Sequence, residues 1–267
     1  VVFSMPLLTS LAVANDVFIF DNGTVDGNNS TPQQLQRIDL TSLGAAANGV
    51  RITVTATRSA VNGGDGLAAV GEIDATGIDL GAVNIRGDLG RVVAGDGNTA
   101  TPGLKGLTVH SLGRYGTFTG AADLVSTIQG QLNSLTVRTD IKEAELVVAG
   151  GLDGKIGAVA VGGSLIGGAG DFSGRISSTG AMGAVRITGD VQGIGDNSGA
   201  IVSVSTLASV TIGGSLIGGA GDFSGRIQSL GAMGAVGITG DVQGIGDKSG
   251  AIFSGSTLAS VTIGGSL

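Results

Sequence analysis

The sequence predicts an all-β protein, a parallel β-helix (β-solenoid) with coils of about 25 residues and an irregular N-terminal cap. Three observations predict this fold. Residues 164–214 recur at 215–265 with only six differences, which gives a period of 51 residues. Each 51-residue unit divides into two halves of similar pattern. Each half contains a Val-x-Ile segment, and a β-branched residue at every second position is typical of a strand.

The half-repeat places a large apolar residue three positions before Val or Leu, which is followed two positions later by Val or Ile. Eight copies occur, and they follow one another at nearly constant steps. One step holds three short strands and three turns, whereas a propeller blade needs four strands in about 40 residues. No segment between the copies has the i, i+3, i+4 spacing of a helix. The central Val or Leu of the copies is at Val83, Leu107, Leu135, Val159, Val185, Val210, Val236 and Val261.

The most regular copy outlines one coil. Val210 and Ile212 are predicted to face inward from the first strand, and Gly213-Gly214 forms the bend that follows. A loop separates this part from a strand that begins near Ser224, and Gly231 turns the chain into the next coil. Coils stacked about 4.8 Å apart would form aliphatic ladders inside and Gly and Ser ladders at the corners. Eight coils at that spacing predict a rod roughly 35–40 Å long.

Residues 1–76 fit the repeat poorly and are predicted to form the N-terminal cap, or early irregular coils plus a cap. Terminal repeats of solenoids are atypical because the open end has to be covered. The chain is therefore divided into a cap at 1–76 and β-helix repeats at 77–267. Segments of the cap that read as strands are 17–20, 38–40, 50–55 and 70–73, with polar loops such as 21–30 between them.

The two ends of the chain suggest an interface for self-association. Residues 1–20 are apolar, and Ala12-Val13-Ala14 follows the A-x-A pattern of a signal-peptidase site, so this stretch is either a docking segment or a leader remnant. The sequence stops in the middle of a 51-residue unit, which indicates either a fragment of a longer repeat protein or an open coil that pairs with another molecule. The predicted interface residues are Val17, Phe18, Ile19, Phe20, Val261, Ile263 and Leu267.

The composition argues against several functions. The 267 residues include 52 Gly, one His, one Tyr and no Cys, so the sequence has no disulfide framework and no thiolate zinc site. With 14 Lys and Arg against 21 Asp and Glu, the net charge is −7, and no basic cluster in the sequence suggests binding to nucleic acid or an anionic membrane. No apolar run reaches the roughly 18 residues of a membrane-spanning helix.

A catalytic site is hard to assemble from this sequence. A Ser-His-Asp set can be drawn around His110, with Ser111, Tyr115 and Asp123 nearby, but the spacing matches no nucleophile elbow. Polysaccharide-cleaving β-helices need clustered charges and aromatic residues that stack on sugars. The long middle of the chain has only two aromatic residues, Tyr115 and Phe118. We therefore expect no enzymatic activity and assign no catalytic residues.

Calcium is the one cofactor that the sequence suggests, and only weakly. An Asp follows a Gly in the loop of several coils, and stacking could align these carboxylates for Ca²⁺. An Asp in such a loop also accepts hydrogen bonds from nearby backbone N–H groups and favours a turn, which is the interpretation we prefer. The candidate ligands are Asp171, Asp196, Asp222 and Asp247.

The recurring Val-x-Ile-x-Gly-Asp-Val/Leu and Ile-Gly-Gly-Ala-Gly-Asp-Phe-Ser-Gly-x-Ile segments resemble the β-strand repeats of very large secreted or surface proteins of planctomycete-type and related bacteria. They resemble autotransporter and filamentous-adhesin passengers more loosely. The resemblance covers roughly residues 77–267. It implies a β-solenoid and an extracellular or cell-surface location, and it transfers no functional residues.

These observations predict a non-enzymatic structural protein that forms an extracellular stalk, fibre or surface-layer element by head-to-tail self-association. Its expected partner is another copy of itself, with a surface glycan as a further candidate. The alternatives are a cell-surface β-helix that binds or cleaves glycans and a calcium-dependent adhesin.

Overall fold

The structure, a computed structural model, describes residues 1–21, 33–58 and 63–267. This part of the chain is all-β, and its long parallel sheet wraps nearly closed in a solenoid-like arrangement. The predicted all-β class and solenoid-like course are thereby confirmed. The polar loop predicted at 21–30 lies outside the described residues, apart from Asp21.

The described residues form 24 strands, one α-helix and three short 3-10 helices. The α-helix α1 is Leu11–Val17, and the 3-10 helices are Thr41–Ala47, Gly116–Thr119 and Gly151–Asp153. The strands are β1 (Val2–Phe3), β2 (Phe18–Phe20), β3 (Leu35–Asp39), β4 (Ile52–Val54), β5 (Ala68–Thr76), β6 (Leu80–Gly95), β7 (Leu104–Leu112), β8 (Val125–Gln129), β9 (Leu132–Val137), β10 (Ile141–Lys142), β11 (Glu145–Ala149), β12 (Ile156–Val161), β13 (Leu165–Ile166), β14 (Arg175–Ser178), β15 (Met182–Ile187), β16 (Val191–Gly193), β17 (Ala200–Ser203), β18 (Leu207–Ile212), β19 (Leu216–Gly218), β20 (Arg226–Ser229), β21 (Met233–Ile238), β22 (Val242–Gln243), β23 (Ile252–Ser254) and β24 (Leu258–Ile263). Among these elements no helix is long and apolar enough to cross a membrane.

Parallel pairing divides the sheet into three faces. The first face contains β4, the first half of β6, β7, β9, β12, β15, β18, β21 and β24. The second face contains the end of β7 and then β10, β13, β16, β19 and β22. The third face contains β3, β5, the second half of β6, β8, β11, β14, β17, β20 and β23. From β9 to β21, each strand therefore pairs with the strand that comes three strands later.

The register of the first face is the one that the repeat predicts. Each central Val or Leu pairs with the central residue of the next copy, from Val83 through to Val261, and all of them except Val261 are buried. Ile52 pairs with Val83, so parallel pairing begins before residue 77. Each buried aliphatic side chain contributes about 1.5–3 kcal/mol, which makes this column a main source of stability.

The segment 1–20 packs on the first coils of its own chain. Ser10 caps helix α1 by accepting a hydrogen bond from the Val13 N–H at 3.2 Å. Strand β1 pairs antiparallel with β4, and β2 pairs antiparallel with β3. Val17 is fully buried, and the rings of Phe3 and Phe18 stack with centroids 5.9 Å apart. This segment therefore covers one end of the core.

One corner of the repeat coils requires glycine. The Gly of each Ser-Gly-x-Ile segment has a φ between 55° and 59°, in the left-handed region that other residues rarely adopt. A Cβ added to Gly199 would lie only 2.1 Å from the Gln192 carbonyl oxygen. The sequence predicted bends at Gly213-Gly214 and Gly231, whereas this ladder of corner glycines at the start of the third-face strands was not predicted. Its members are Gly174, Gly199, Gly225 and Gly250.

Candidate functional site

The four Asp residues proposed as calcium ligands lie in equivalent exposed turns. Oδ1 of Asp196 accepts a hydrogen bond from the backbone N–H of Asp222 at 2.8 Å, and Oδ1 of Asp222 accepts one from Asp247 at 3.1 Å. These carboxylates therefore join successive coils. Within the described ranges, no group of three or more His, Cys, Asp or Glu residues is placed to hold a metal ion. Binding of Ca²⁺ by Asp171, Asp196, Asp222 and Asp247 stays a prediction.

The residue after each of these Asp residues has an unusual backbone. Its φ lies between 52° and 59°, although none of the four residues is Gly. The next residue is Ser, and its hydroxyl donates to the carbonyl three residues earlier, as from Ser224 to Gly221 at 2.7 Å. This repeated turn presents a variable side chain on every coil. The four positions are Phe172, Asn197, Phe223 and Lys248.

A second column of Asp residues, at the bend after the first face, alternates with Ser. Oδ1 of Asp190 accepts from the Ser215 N–H at 2.7 Å, and Oγ of Ser215 accepts from the Asp241 N–H at 3.0 Å. The sequence analysis predicted Ser ladders at the corners but not their alternation with Asp, although each of these serines directly precedes an aliphatic residue of the repeat, as the Asp residues do. We call this set the Asp–Ser column, and its members are Asp88, Ser111, Asp140, Ser164, Asp190, Ser215, Asp241 and Ser266.

Asp88 begins this column and is buried. It accepts hydrogen bonds from the Ser111 hydroxyl at 2.6 Å and from the N–H groups of Arg114 and Tyr115 at 3.1 and 3.2 Å. Burial raises the pKa of Asp88, and these hydrogen bonds oppose the rise because they stabilise the carboxylate. Asp88 thus holds the loop that follows β7.

The structure separates the members of the Ser-His-Asp set. The Ser111 hydroxyl donates to Asp88, and Asp123 forms an ion pair with Arg91, with 2.7 Å between Nη1 and Oδ2. His110 is half-buried and lines a cleft of about 430 Å³ together with Arg114, Tyr115 and Phe118. We call this the aromatic cleft. It adjoins a second cleft at His110, described below.

The third face carries charged side chains at the same position of several coils. Arg175 lies 3.6 Å from Glu145 and stacks over the Phe172 ring, whereas Arg226 stacks over Phe223. Nη2 of Arg226 donates to Oδ1 of Asn197 at 2.9 Å.

Arg175 and Arg226 differ in whether a carboxylate lies beside the guanidinium group. Burial, and then the charge of Arg175, lowers the pKa of Arg226 to about 10. Burial also raises the pKa of Glu145, although the charge of Arg175 opposes that rise. Glu145 therefore balances the charge of Arg175, whereas Arg226 has a neutral amide as its polar partner.

The predicted interface residues fall into two groups. Val17, Phe18, Ile19 and Phe20 are buried or half-buried against the first coils of their own chain. In β24, by contrast, Val261 is 41% exposed, although Val210 at the same position of β18 is 1% exposed. Ile263 is half-buried and Leu267 is exposed.

Comparisons with known proteins give no relative of this chain. No family model matches it, no curated protein matches it and no solved structure matches it. The resemblance of its repeats to bacterial surface proteins stays a prediction, and the proposals below depend on the contacts just described.

Proposed function

We propose that the chain is a parallel β-helix that serves as a non-enzymatic structural element of an extracellular stalk, fibre or surface layer. The observation that supports this proposal best is the register of the first face, which is continuous from Ile52 to Val261. A chain in which every coil pairs with the coil before and after it is quasi-one-dimensional, and its length follows from the number of coils.

Side chains reinforce this backbone pairing on the outside. The turns after Asp196 and Asp222 and the bends of the Asp–Ser column add hydrogen bonds from one coil to the next. Each such bond contributes about 0.5–1.5 kcal/mol. Because the bonds lie at two corners of the coil, away from the aliphatic core, they resist bending and twisting between coils. This is the property that a stalk requires.

Head-to-tail self-association is part of this proposal, and β24 is its proposed interface. In β24, Leu258 and Val261 occupy the positions that Leu207 and Val210 occupy in β18, where the next coil covers them. The surface that fits them is another coil, since β21 already packs on β18 in that manner. A strand added there by a second chain would pair as β24 pairs with β21. The proposed occupant is a second copy of this chain.

The segment 1–20 is proposed to stay on its own chain during assembly. Docking it elsewhere would first require the fully buried Val17 to leave its core and β2 to leave β3.

Sedimentation velocity over a range of concentrations tests the proposed association. Val261→Lys places a charge on the β24 surface, whereas Leu230→Lys changes a residue that is also exposed but lies at the side of a coil. We expect the wild type and the Leu230→Lys control to associate as concentration rises and Val261→Lys to remain a monomer. A wild type that stays monomeric, or a Val261→Lys variant that associates equally well, would contradict the proposal.

Small-angle X-ray scattering tests the rod itself. Insertion of one further copy of residues 164–214 after Gly214 adds two coils, and the long dimension is expected to grow by about 10 Å. The cross-section is expected to stay constant. Growth of the cross-section instead of the length would contradict a β-helical rod.

A further inference from the structure

Three basic or imidazole side chains form one column on the outer surface of the first face. Ile85, Val109 and Val137 are buried and pair with one another in three successive coils. The residues that follow them directly are Arg86, His110 and Arg138. Because side chains alternate along a strand, all three point away from the core, with about 4.8 Å between neighbouring coils.

These three residues line one cleft of about 480 Å³, which we call the cationic cleft. Thr53, Thr55 and Asn84 also line it and supply hydroxyl and amide groups, and its lining includes no Asp or Glu among the residues that the structure describes. In the part of the chain that the structure describes, no ion pair joins Arg86 or Arg138 to a carboxylate. The cleft therefore combines unneutralised positive charge with neutral hydrogen-bonding groups.

The cationic cleft differs from the places where this chain pairs its arginines with carboxylates. Arg91 is paired with Glu72 and Asp123, and Arg175 is paired with Glu145. Two unpaired guanidinium groups about 10 Å apart repel each other, and an anion bound between them removes that repulsion. This column of basic side chains is present although the net charge of the protein is −7. The charge pattern therefore points to an anionic ligand.

The neighbouring aromatic cleft supplies flat apolar surfaces. It shares His110 and Leu67 with the cationic cleft. Phe118 is 98% exposed and Tyr115 is 43% exposed, and Arg114 stands beside them. Two exposed rings beside a positive column match a ligand that has both acidic groups and ring faces.

The two carboxylates of the aromatic cleft already have hydrogen-bond donors from their own chain. Asp65 accepts from the backbone N–H of Leu67 at 2.9 Å, and the buried Asp88 accepts from Ser111 at 2.6 Å. Neither of them lines the cationic cleft. The acidic groups of a ligand would therefore bind in the cationic cleft, and its rings in the aromatic cleft.

We infer that the two clefts together form a binding site for an anionic polysaccharide. Its carboxylate or sulfate groups would bind Arg86, His110 and Arg138, since a guanidinium donates two parallel hydrogen bonds to such groups. Its sugar rings would lie against Tyr115 and Phe118, and its hydroxyl groups would bind the Thr and Asn side chains of the cationic cleft. The column spans two coil steps, about 10 Å, which is close to the length of two linked pyranose rings.

A nucleic acid fits this site less well. A single strand carries a phosphate on every nucleotide and binds along longer positive grooves. Here the column has two guanidinium groups and one imidazole, and the whole chain is acidic. A sugar polymer with one acidic group per ring or per two rings matches the short column better.

Isothermal titration calorimetry with defined oligosaccharides tests the assignment. The probes are a hexamer of galacturonate, a sulfated heparin-derived hexasaccharide, a neutral cello-oligosaccharide and a single-stranded oligonucleotide. We expect the carboxylated or the sulfated probe to bind, with an affinity that falls as salt rises, and the neutral probe to bind much more weakly. The first two probes distinguish between the two kinds of acidic group.

Variants then locate the site. Arg86→Ala with Arg138→Ala is expected to weaken binding at least about tenfold, and Phe118→Ala several-fold, because each change removes a direct contact. The control is Arg186→Ala, an exposed Arg on the same outer face that lies two coils beyond Arg138. It should bind as the wild type does. Unchanged thermal melting curves of all variants would show that each remains folded.

Three results would overturn the inference. They are the absence of binding by either anionic saccharide, equal binding by the double arginine variant and the wild type, and binding of the oligonucleotide as tight as that of the best saccharide. The last result would indicate a general polyanion surface. None of these results depends on whether the chain associates head to tail, so the outcome is independent of the proposed structural function.

Discussion

Among single residues, the corner glycines make the most specific demand on the sequence. Gly199 combines a φ of 56° with backbone atoms that leave no room for a Cβ. We expect Gly199→Ala to lower the free energy of unfolding by about 2–4 kcal/mol, because both the backbone and the neighbouring carbonyl would have to shift. Urea denaturation measures this loss.

The matched control is Gly237→Ala in strand β21. A Cβ there would meet no atom within 4 Å, and the equivalent residue of the preceding unit is Arg186. The expected change is neutral or a gain of up to about 1 kcal/mol, because Ala has less conformational freedom in the unfolded chain than Gly has. Equal losses for both variants would show that the corner φ is not what requires glycine.

Asp88 makes stability depend on pH in a direction that can be worked out. Because burial raises its pKa above the ordinary value of 3.8, the folded protein retains a proton that the unfolded chain has already lost. Stability from this group is therefore fully present below pH 3.8 and decreases as pH rises through the raised pKa. The amide of Asp88→Asn does not titrate. The substitution also changes the local hydrogen bonds, but the effect of that change on stability does not vary with pH.

We therefore expect the melting temperature of Asp88→Asn, relative to that of the wild type, to increase as pH rises above 3.8. Thermal melts monitored by circular dichroism from pH 3 to 8 would measure the difference. The change of this difference with pH tests the raised pKa, whereas its absolute size does not. A difference in melting temperature that stays constant from pH 3 to 8 would contradict a raised pKa for Asp88.

Among the elements, β14 and β20 on the third face present the same arginine in two charge environments. Arg175→Met leaves Glu145 without its partner in a half-buried position, and we expect a loss of about 2 kcal/mol. Arg226→Met keeps the apolar stem and removes a cation whose polar partner is the neutral Asn197. We expect its stability to be unchanged or to rise by up to about 1 kcal/mol, since relief from desolvation offsets the lost ring contact.

Denaturation of the two Met variants side by side tests this contrast. The two variants form a matched pair, because Arg175 and Arg226 occupy equivalent positions of the two 51-residue units. Destabilisation by Arg226→Met equal to that by Arg175→Met would mean that the contact of each guanidinium with its Phe ring outweighs the pairing with Glu145.

The same elements show which parts of the fold could be predicted. The first-face strands were predictable because Val-x-Ile and the following small residues recur at nearly constant steps, which determines the register. The four cap segments that read as strands all overlap observed strands, namely β2, β3, β4 and β5. The sequence left open whether β3, β4 and β5 form early coils of the parallel sheet, because their pairing depends on contacts between segments that share no repeat.

The candidate site was less predictable, for a different reason. Arg86, His110 and Arg138 lie one coil apart along the sequence, and a charge cluster sought among neighbouring residues does not bring them together. Only the register places them in adjacent coils. Likewise, the left-handed φ of Phe172 and Phe223 goes against the preference of Phe and follows from the fixed turn of the coil.

On the scale of the whole molecule, alternation between coils explains why the sequence repeats with every second coil rather than with every coil. In the Asp–Ser column each Asp after Asp88 has Ser in the coils on both sides, and on the third face Ala200 lies between Arg175 and Arg226. In these two columns like charges are therefore about 10 Å apart, near one Debye length at physiological salt, instead of about 5 Å. The structural unit is a pair of coils.

Deletions test this unit. Removing residues 164–214 deletes two coils and places Asp140 beside Ser215 and Glu145 beside Arg226, so every column keeps its alternation. Removing 190–214 deletes one coil and places Ser164 beside Ser215 and Arg175 beside Arg226. We expect the shorter deletion to be the more destabilising, by several kcal/mol, because it stacks two half-buried cations.

Chemical denaturation of the two deletion variants measures this difference. Loss of coils alone would favour the opposite result, because the variant without residues 164–214 retains fewer coils and fewer buried residues than the variant without 190–214. The two-coil unit would be disproved if the deletion of 190–214 proved the more stable variant.

The Asp–Ser column also constrains how such a gene can change its length. Unequal recombination between near-identical copies inserts or removes whole units, and products that differ by one coil would inherit mismatched neighbours and be lost by selection. None of the six differences between 164–214 and 215–265 falls on the Asp–Ser column or on a corner Gly. Length variants in a population should therefore form a series in steps of one 51-residue unit, with the Asp–Ser column and the corner Gly residues unchanged.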